Sequence, residues 1–195
     1  FLIIKTKKEF NDLEIIKFNP DLVLFYGWSW LIPQSLIKNF KCLMLHPSDL
    51  PKYRGGSPIQ NQIINGVTDS KVSIFIMNEK LDAGDIVAQE YLSLEGNISE
   101  IFKRIEIIGL KMTQEILREF PKSYKQLDSD ATYFKRRTFL ENEITLEEIK
   151  NKDSIYLYNK VRMLTEPYPY AYIKTIDGKF LIIKDVMISE DYPSS

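Results

Sequence analysis

His46 is the only histidine in 195 residues. It stands where an apolar run, Cys42-Leu43-Met44-Leu45, breaks into the proline- and glycine-rich loop HPSDLPKYRGGSP, His46 to Pro58. An imidazole can give or take a proton near neutral pH, and a neighbouring carboxylate can fix its tautomer and stabilise its charged form. A second loop, Leu81-Asp82-Ala83-Gly84-Asp85, offers Asp82 as that carboxylate. Taken singly, these features read as a packed histidine, an ordinary loop and two solvated acids. Taken together they describe a proton-handling pair at the end of a sheet, where α/β folds place their chemistry.

The elements that must position the pair follow from periodicity. Phe1-Leu2-Ile3-Ile4 reads as a buried strand and Lys7 to Phe18 as a short amphipathic helix. Asp21 to Tyr26 is a continuous apolar strand ending at Gly27. A Pro33-led helix runs to Asn39, and a third strand covers Cys42 to Leu45. Strands alternating with helices imply an α/β fold with a parallel sheet and helical crossovers. The chain opens on a strand with no initiator methionine, so something upstream is expected to be missing, leaving residues 1–120 as an N-terminally incomplete α/β domain. Ser57 or Pro58 starts a helix that ends near Gly66, and Val72 to Met77 and Ile86 to Tyr91 are strands flanking the Asp82 loop, so a hairpin-like excursion carries Asp82 beside the sheet edge. From Ile98 to Phe120, Ile101, Ile105, Ile108, Met112 and Ile116 recur at helical spacing. Beyond Pro121 the character changes. Residues 121–195 are expected to form a small C-terminal aromatic extension, with a helix over Asp153 to Leu164 and a hairpin from Tyr170 to Val186 turning at Asp177-Gly178.

Composition narrows the function classes. With 44% hydrophobic and 27% charged residues the chain can bury one sizeable core. A net charge of −1 with dispersed Lys and Arg makes a nucleic acid partner unexpected, since phosphate-backbone binding needs concentrated positive charge. The lone Cys42 excludes an internal disulfide and suggests a reducing compartment. No apolar stretch reaches the roughly 18 residues of a membrane span, so no membrane partner and a cytoplasmic address are expected.

The two loops resemble those of the 10-formyltetrahydrofolate-dependent formyltransferases, which include glycinamide ribonucleotide transformylase, methionyl-tRNA formyltransferase and the nucleotide-sugar N-formyltransferases. HPSDLPKYRGGSP is similar to the family's histidine loop and LDAGDIVAQ to its aspartate loop, and the 36 residues from His46 to Asp82 match the family's interval. The resemblance covers Phe1 to about Phe120. It implies a Rossmann-like, mostly parallel sheet with helices on both faces, and a catalytic domain over residues 1–120 that lacks the family's first βα unit; with one histidine and one cysteine in the chain, no metal is expected. It also implies a formyl donor, N10-formyltetrahydrofolate, whose carbon is attacked by the acceptor amine while His46 shuttles the proton or stabilises the charged intermediate in concert with Asp82. The WSWLIP segment, with Trp30, Leu31 and Ile32, would meet the pterin ring. Ser48, Asp49, Leu50, Pro51 and Asp85 would line the same pocket.

The resemblance fails at one position. The family carries an asparagine two residues before its histidine, and Met44 stands there. A thioether donates no hydrogen bond, and losing one oxyanion donor typically costs about a hundred- to thousand-fold in rate. Asn61, Gln60 or Gln62 on the following helix could replace it. In the C-terminal part, ATYFKRRT from Ala131 and the Tyr158 to Ala171 region most resemble segments of the nucleotide-sugar enzymes. That resemblance implies a nucleotide-linked amino sugar as acceptor. Lys52, Arg54, Arg136 and Arg162 would serve as cations for its pyrophosphate, with Asn61 and Tyr168 also contacting it. Methionyl-tRNA is the alternative acceptor, and a non-catalytic folate binder marked by Met44 is a third reading. A homodimer is compatible with the sequence.

Overall fold

The computed structural model describes residues 1–191. Helix α1 (Asp12–Phe18) is capped by Asn11, whose side chain accepts from the Leu13 N–H, and stops at Asn19 in the left-handed conformation. Strand β1 (Val23–Phe25), helix α2 (Gln34–Asn39) and strand β2 (Cys42–His46) follow, and β1 and β2 pair in parallel. After the two-residue strand β3 (Arg54–Gly55) and helix α3 (Pro58–Ile64), strands β4 (Asp69–Ile76) and β5 (Ile86–Ser93) complete a sheet of order β1-β2-β4-β5.

The α/β, Rossmann-like class stands, and two details of the expectation change. The sheet is mixed rather than mostly parallel: the β2–β4 and β4–β5 pairs are antiparallel. Strand β4 returns alongside β2 after the α3 excursion, and the short Asp82 connection then forces a hairpin, which only antiparallel strands can make. Phe1 to Ile4 also form no strand, and Phe1, Leu2 and Ile3 are exposed. An apolar run becomes a strand only where a neighbour satisfies its backbone, and among the described residues β1 pairs only with β2.

Side-chain alternation along β2 shows what covers each face. Leu43 and Leu45 belong to the main core, together with Ile101, Ile105, Met112 and Ile116 of the long helix α4 (Ile98–Arg118). Cys42 points the other way, its thiol donating to the Leu36 carbonyl of α2. Helices therefore lie on both faces. Helix α4 is held by a capping box between Asn97 and Glu100, and its Gly109 lets Leu45 approach so closely that a β-carbon would sit 2.7 Å from the Leu45 Cδ1.

Beyond α4 come strand β6 (Tyr133–Phe134), helices α5 (Leu146–Asn151) and α6 (Ser154–Arg162), and the hairpin β7 (Ala171–Lys174) and β8 (Phe180–Ile183). The α6 and hairpin expectations hold in place. Ile144, Val161, Met163, Leu164 and Ala171 share one core with Leu43 and Ile74, so packing is continuous across residue 120. Lys160, buried on α6, is paired with Glu148 at 2.6 Å and donates to the Glu143 carbonyl. Among the described residues no helix is long and apolar enough to cross a membrane.

Candidate active site

His46 ends β2 and is buried. Its Nε2 lies 2.9 Å from the Tyr53 carbonyl oxygen. A carbonyl can only accept, so Nε2 carries the hydrogen, and Nδ1 is the nitrogen turned toward Asp82, 3.7 Å from Oδ2. That separation is an ion-pair distance, too long for a hydrogen bond. Asp82 Oδ2 also accepts from the Gly55 N–H at 2.8 Å, which fixes the carboxylate while leaving its negative charge facing the ring. With side chains only 8% and 13% exposed, the pair sits where Coulomb interactions are weakly screened.

The loops are locked to the sheet by polar side chains. Ser73, opposite His46 in the β2–β4 register, donates to the Ser48 carbonyl. Gln89 of β5 donates to Ser73 Oγ at 2.8 Å and the Leu50 carbonyl at 3.1 Å, and Gln62 donates to the Pro47 carbonyl at 2.8 Å. Asp82 adopts φ 48°, a left-handed conformation that costs a non-glycine residue about 1–3 kcal/mol unless its surroundings impose it. Gly84 must be glycine because a β-carbon there would lie 1.6 Å from the Ile76 carbonyl oxygen. Gly56 likewise admits the Arg136 backbone, where a β-carbon would come within 2.4 Å.

The pair opens onto a cavity of about 1320 Å³. His46, Asp82, Trp30, Leu31, Ile32, Arg136 and Tyr168 all line it, so the structure brings these sequence-derived candidates together. The others fall elsewhere, for physical reasons. Ser48 and Leu50 are buried within the histidine loop, and the Ser48 hydroxyl is spent on the Lys52 carbonyl. Asp49 pairs with Lys71 at 3.0 Å. Pro51, Lys52 and Asp85 do not line the cavity. Arg54 is no phosphate ligand: it is fully buried and bound to Gln126, Asp128 and Tyr133. Arg162 lines a separate depression and donates to the Leu94 and Gly96 carbonyls. Asn61 turns its amide to the Gly56 and Lys135 carbonyls.

Several lining residues carried no sequence signal. Tyr26 and Thr113 share a hydrogen bond of 2.7 Å across the cavity wall, and burial pushes the Tyr26 hydroxyl up despite that bond. Phe139 and Asn142 line it from beyond the segments the sequence singled out. Burial also raises the Tyr168 hydroxyl, opposed by its hydrogen bond with Gln60 and by the Arg136 charge. Of the proposed substitutes for the donor missing at Met44, Asn61 and Gln62 are committed to carbonyls, whereas Gln60, like Met44, lines the cavity.

The cavity suits a flat, polar-edged ligand. Trp28 and Trp30 meet edge to face with centroids 4.9 Å apart, and the Trp28 Nε1–H is buried with no partner among the described residues. An unsatisfied indole donor in an aromatic wall calls for a ligand acceptor. Among the described residues no His, Cys, Asp and Glu cluster is placed to hold a metal ion.

Residues 5–104 match the formyl transferase family model. The chain is 31% identical over 176 residues to a methionyl-tRNA formyltransferase of Lysinibacillus sphaericus, an alignment covering 87% of this chain and 55% of that protein. It thus spans about half the length of that curated relative. Its fold matches the methionyl-tRNA formyltransferase from Clostridium thermocellum with a TM-score of 0.82 at 36% identity, over 92% of this chain and 83% of that one. A 4-N formyltransferase from Francisella tularensis matches with a TM-score of 0.69 at 25% identity, over 86% and 72%. The chain belongs to the formyl transferase family.

Proposed function

We propose that this chain carries the site at which a formyl group passes from N10-formyltetrahydrofolate to a primary amine. The observation that carries the reading is the buried His46–Asp82 pair opening onto the cavity lined by Trp28 and Trp30. When bound, the folate supplies the transferable one-carbon group. The two tryptophans provide its aromatic wall, and the free Trp28 Nε1–H an anchoring donor. With Nε2–H held by the Tyr53 carbonyl, His46 takes at Nδ1 the proton that the attacking amine loses and gives it up from the same atom to the departing folate nitrogen, while Asp82 stabilises the transient imidazolium.

For the acceptor, the names of the relatives at 31% and 36% identity support methionyl-tRNA. A second reading, a nucleotide-linked amino sugar, is favoured by Arg136 and Tyr168 on the cavity wall and by a net charge of −1, which gives the chain little general attraction for a nucleic acid backbone. The test is incubation with N10-formyltetrahydrofolate and each acceptor in turn, reading N-formylated product by mass. Formylated methionyl-tRNA supports the first acceptor and formylated sugar nucleotide the second. Donor binding without product from any amine would refute formyl transfer.

A further inference from the structure

Gln126, half-buried in the segment joining α4 to β6, touches the Asp82 loop from outside both motifs. Its Nε2 donates to two loop carbonyls, Asp82 at 2.9 Å and Gly84 at 2.7 Å. Its Oε1 accepts twice from Arg54, from Nε at 3.0 Å and Nη2 at 2.8 Å. A guanidinium has only donors, so Oε1 must face Arg54 and the amide has one orientation, with Nε2 toward the loop. Arg54 is fully buried, its charge answered by Asp128 at 3.0 Å and its remaining contact made to the Tyr133 hydroxyl. The next residue, Gly55, donates its N–H to Asp82 Oδ2.

Strand β3 therefore grips Asp82 at two points. The carboxylate is held directly through Gly55, and the backbone through Arg54 and then Gln126. This double hold accounts for the left-handed backbone at Asp82, which needs imposed contacts to persist. It also gives the buried arginine a task that its distance from the cavity would otherwise leave unexplained.

We propose that Gln126 is a positioning residue for Asp82, oriented by Arg54. The kinetic part of this assignment rests on the formyl-transfer reading; the structural part does not. The discriminating variant is Gln126→Glu. A carboxylate keeps the Arg54 contact, and adds charge to it, but sets oxygen against the Asp82 and Gly84 carbonyls where a donor is required. A side chain needed only to satisfy Arg54 would tolerate this change.

The expected result for Gln126→Glu is a retained fold, a kcat lowered about ten- to hundred-fold by a displaced carboxylate, and a donor KM changed less than about threefold. Placed on Asp82→Asn, the same substitution should cost less than about threefold more, because Gln126 acts through Asp82. Amide exchange over residues 82–86 should accelerate about tenfold or more, with α4 unchanged. Gln126→Ala, read by the same exchange measurement, covers the case in which Gln126→Glu folds poorly. If the wild-type chain formylates nothing, the functional reading fails alone, and exchange still decides the positioning. Unchanged loop exchange in both variants overturns the assignment. So does a wild-type kcat in a variant whose loop exchange has risen.

Discussion

Replacing Asp82 by asparagine separates the charge of that residue from its shape. The amide oxygen can still accept from the Gly55 N–H, so the 2.8 Å contact that seats the side chain is retained. What disappears is a negative charge 3.7 Å from His46 Nδ1. At an effective dielectric near 20, two unit charges at that distance interact by about 4.5 kcal/mol, against about 1 kcal/mol in bulk water. The 8% and 13% exposures place the pair nearer the first figure. If most of the positive charge on His46 develops in the rate-limiting step, kcat should fall by about two to three powers of ten. Single-turnover formyl transfer at saturating donor reads the effect, and thermal unfolding should be nearly unchanged. A kcat within about threefold of wild type would show that the Asp82 charge is not used, and the electrostatic argument would fall.

Other consequences are equally open to test. Met44→Asn places an amide donor on the cavity wall where the family has one, and should raise kcat by about tenfold or more; an unchanged rate would mean that a donor is already present, with Gln60→Leu the next variant to assay. Burial raises the Glu148 carboxyl, but the hydrogen bond and charge of Lys160 and the bonds from Thr145 and Tyr156 outweigh it, so its folded value lies below the ordinary one. The stability this contributes is fully present above about pH 4.3 and is lost as pH falls through the depressed folded value, so Glu148→Gln should flatten the acid limb of a melting-temperature profile. Lys160→Met leaves the Glu148 carboxylate partly buried without its partner and should cost about 3–5 kcal/mol by urea unfolding. Burial pushes the Cys42 thiol up to about 11, so alkylation at pH 8 should be slow until the chain is unfolded.

The two loops carried most of what could be read in advance. His46 and Asp82 were legible because proline and glycine punctuate the first loop and Gly84 the second, and the strands around them are long enough to show a pattern. Helix α4 was legible from Ile101, Ile105, Met112 and Ile116. The strand assigned to Phe1–Ile4 failed because apolar character records a wish to be buried, whereas pairing depends on a neighbour. The hairpin that carries Asp82 was legible from its two flanking strands, but the antiparallel placement of β4 beside β2 was not, because a short run of Val and Ile reads the same in either orientation. Arg54 was misread as a ligand cation: sequence gives an arginine's charge but not its burial, and burial is what commits it to Gln126. Strands β3 and β6, two residues each, lie below any periodicity, so the contact that brings Gln126 to the site left no trace, although the ATYFKRRT segment had offered Arg136.

If formyl transfer to an amine runs as proposed, His46 handles the proton through Nδ1. The most direct measurement is single-turnover transfer from N10-formyltetrahydrofolate by wild type and His46→Asn, with donor binding measured separately by calorimetry. The expected result is that His46→Asn still folds and binds donor while the transfer rate falls by about a hundred-fold or more. Transfer by His46→Asn at the wild-type rate, with equal donor binding, would contradict it.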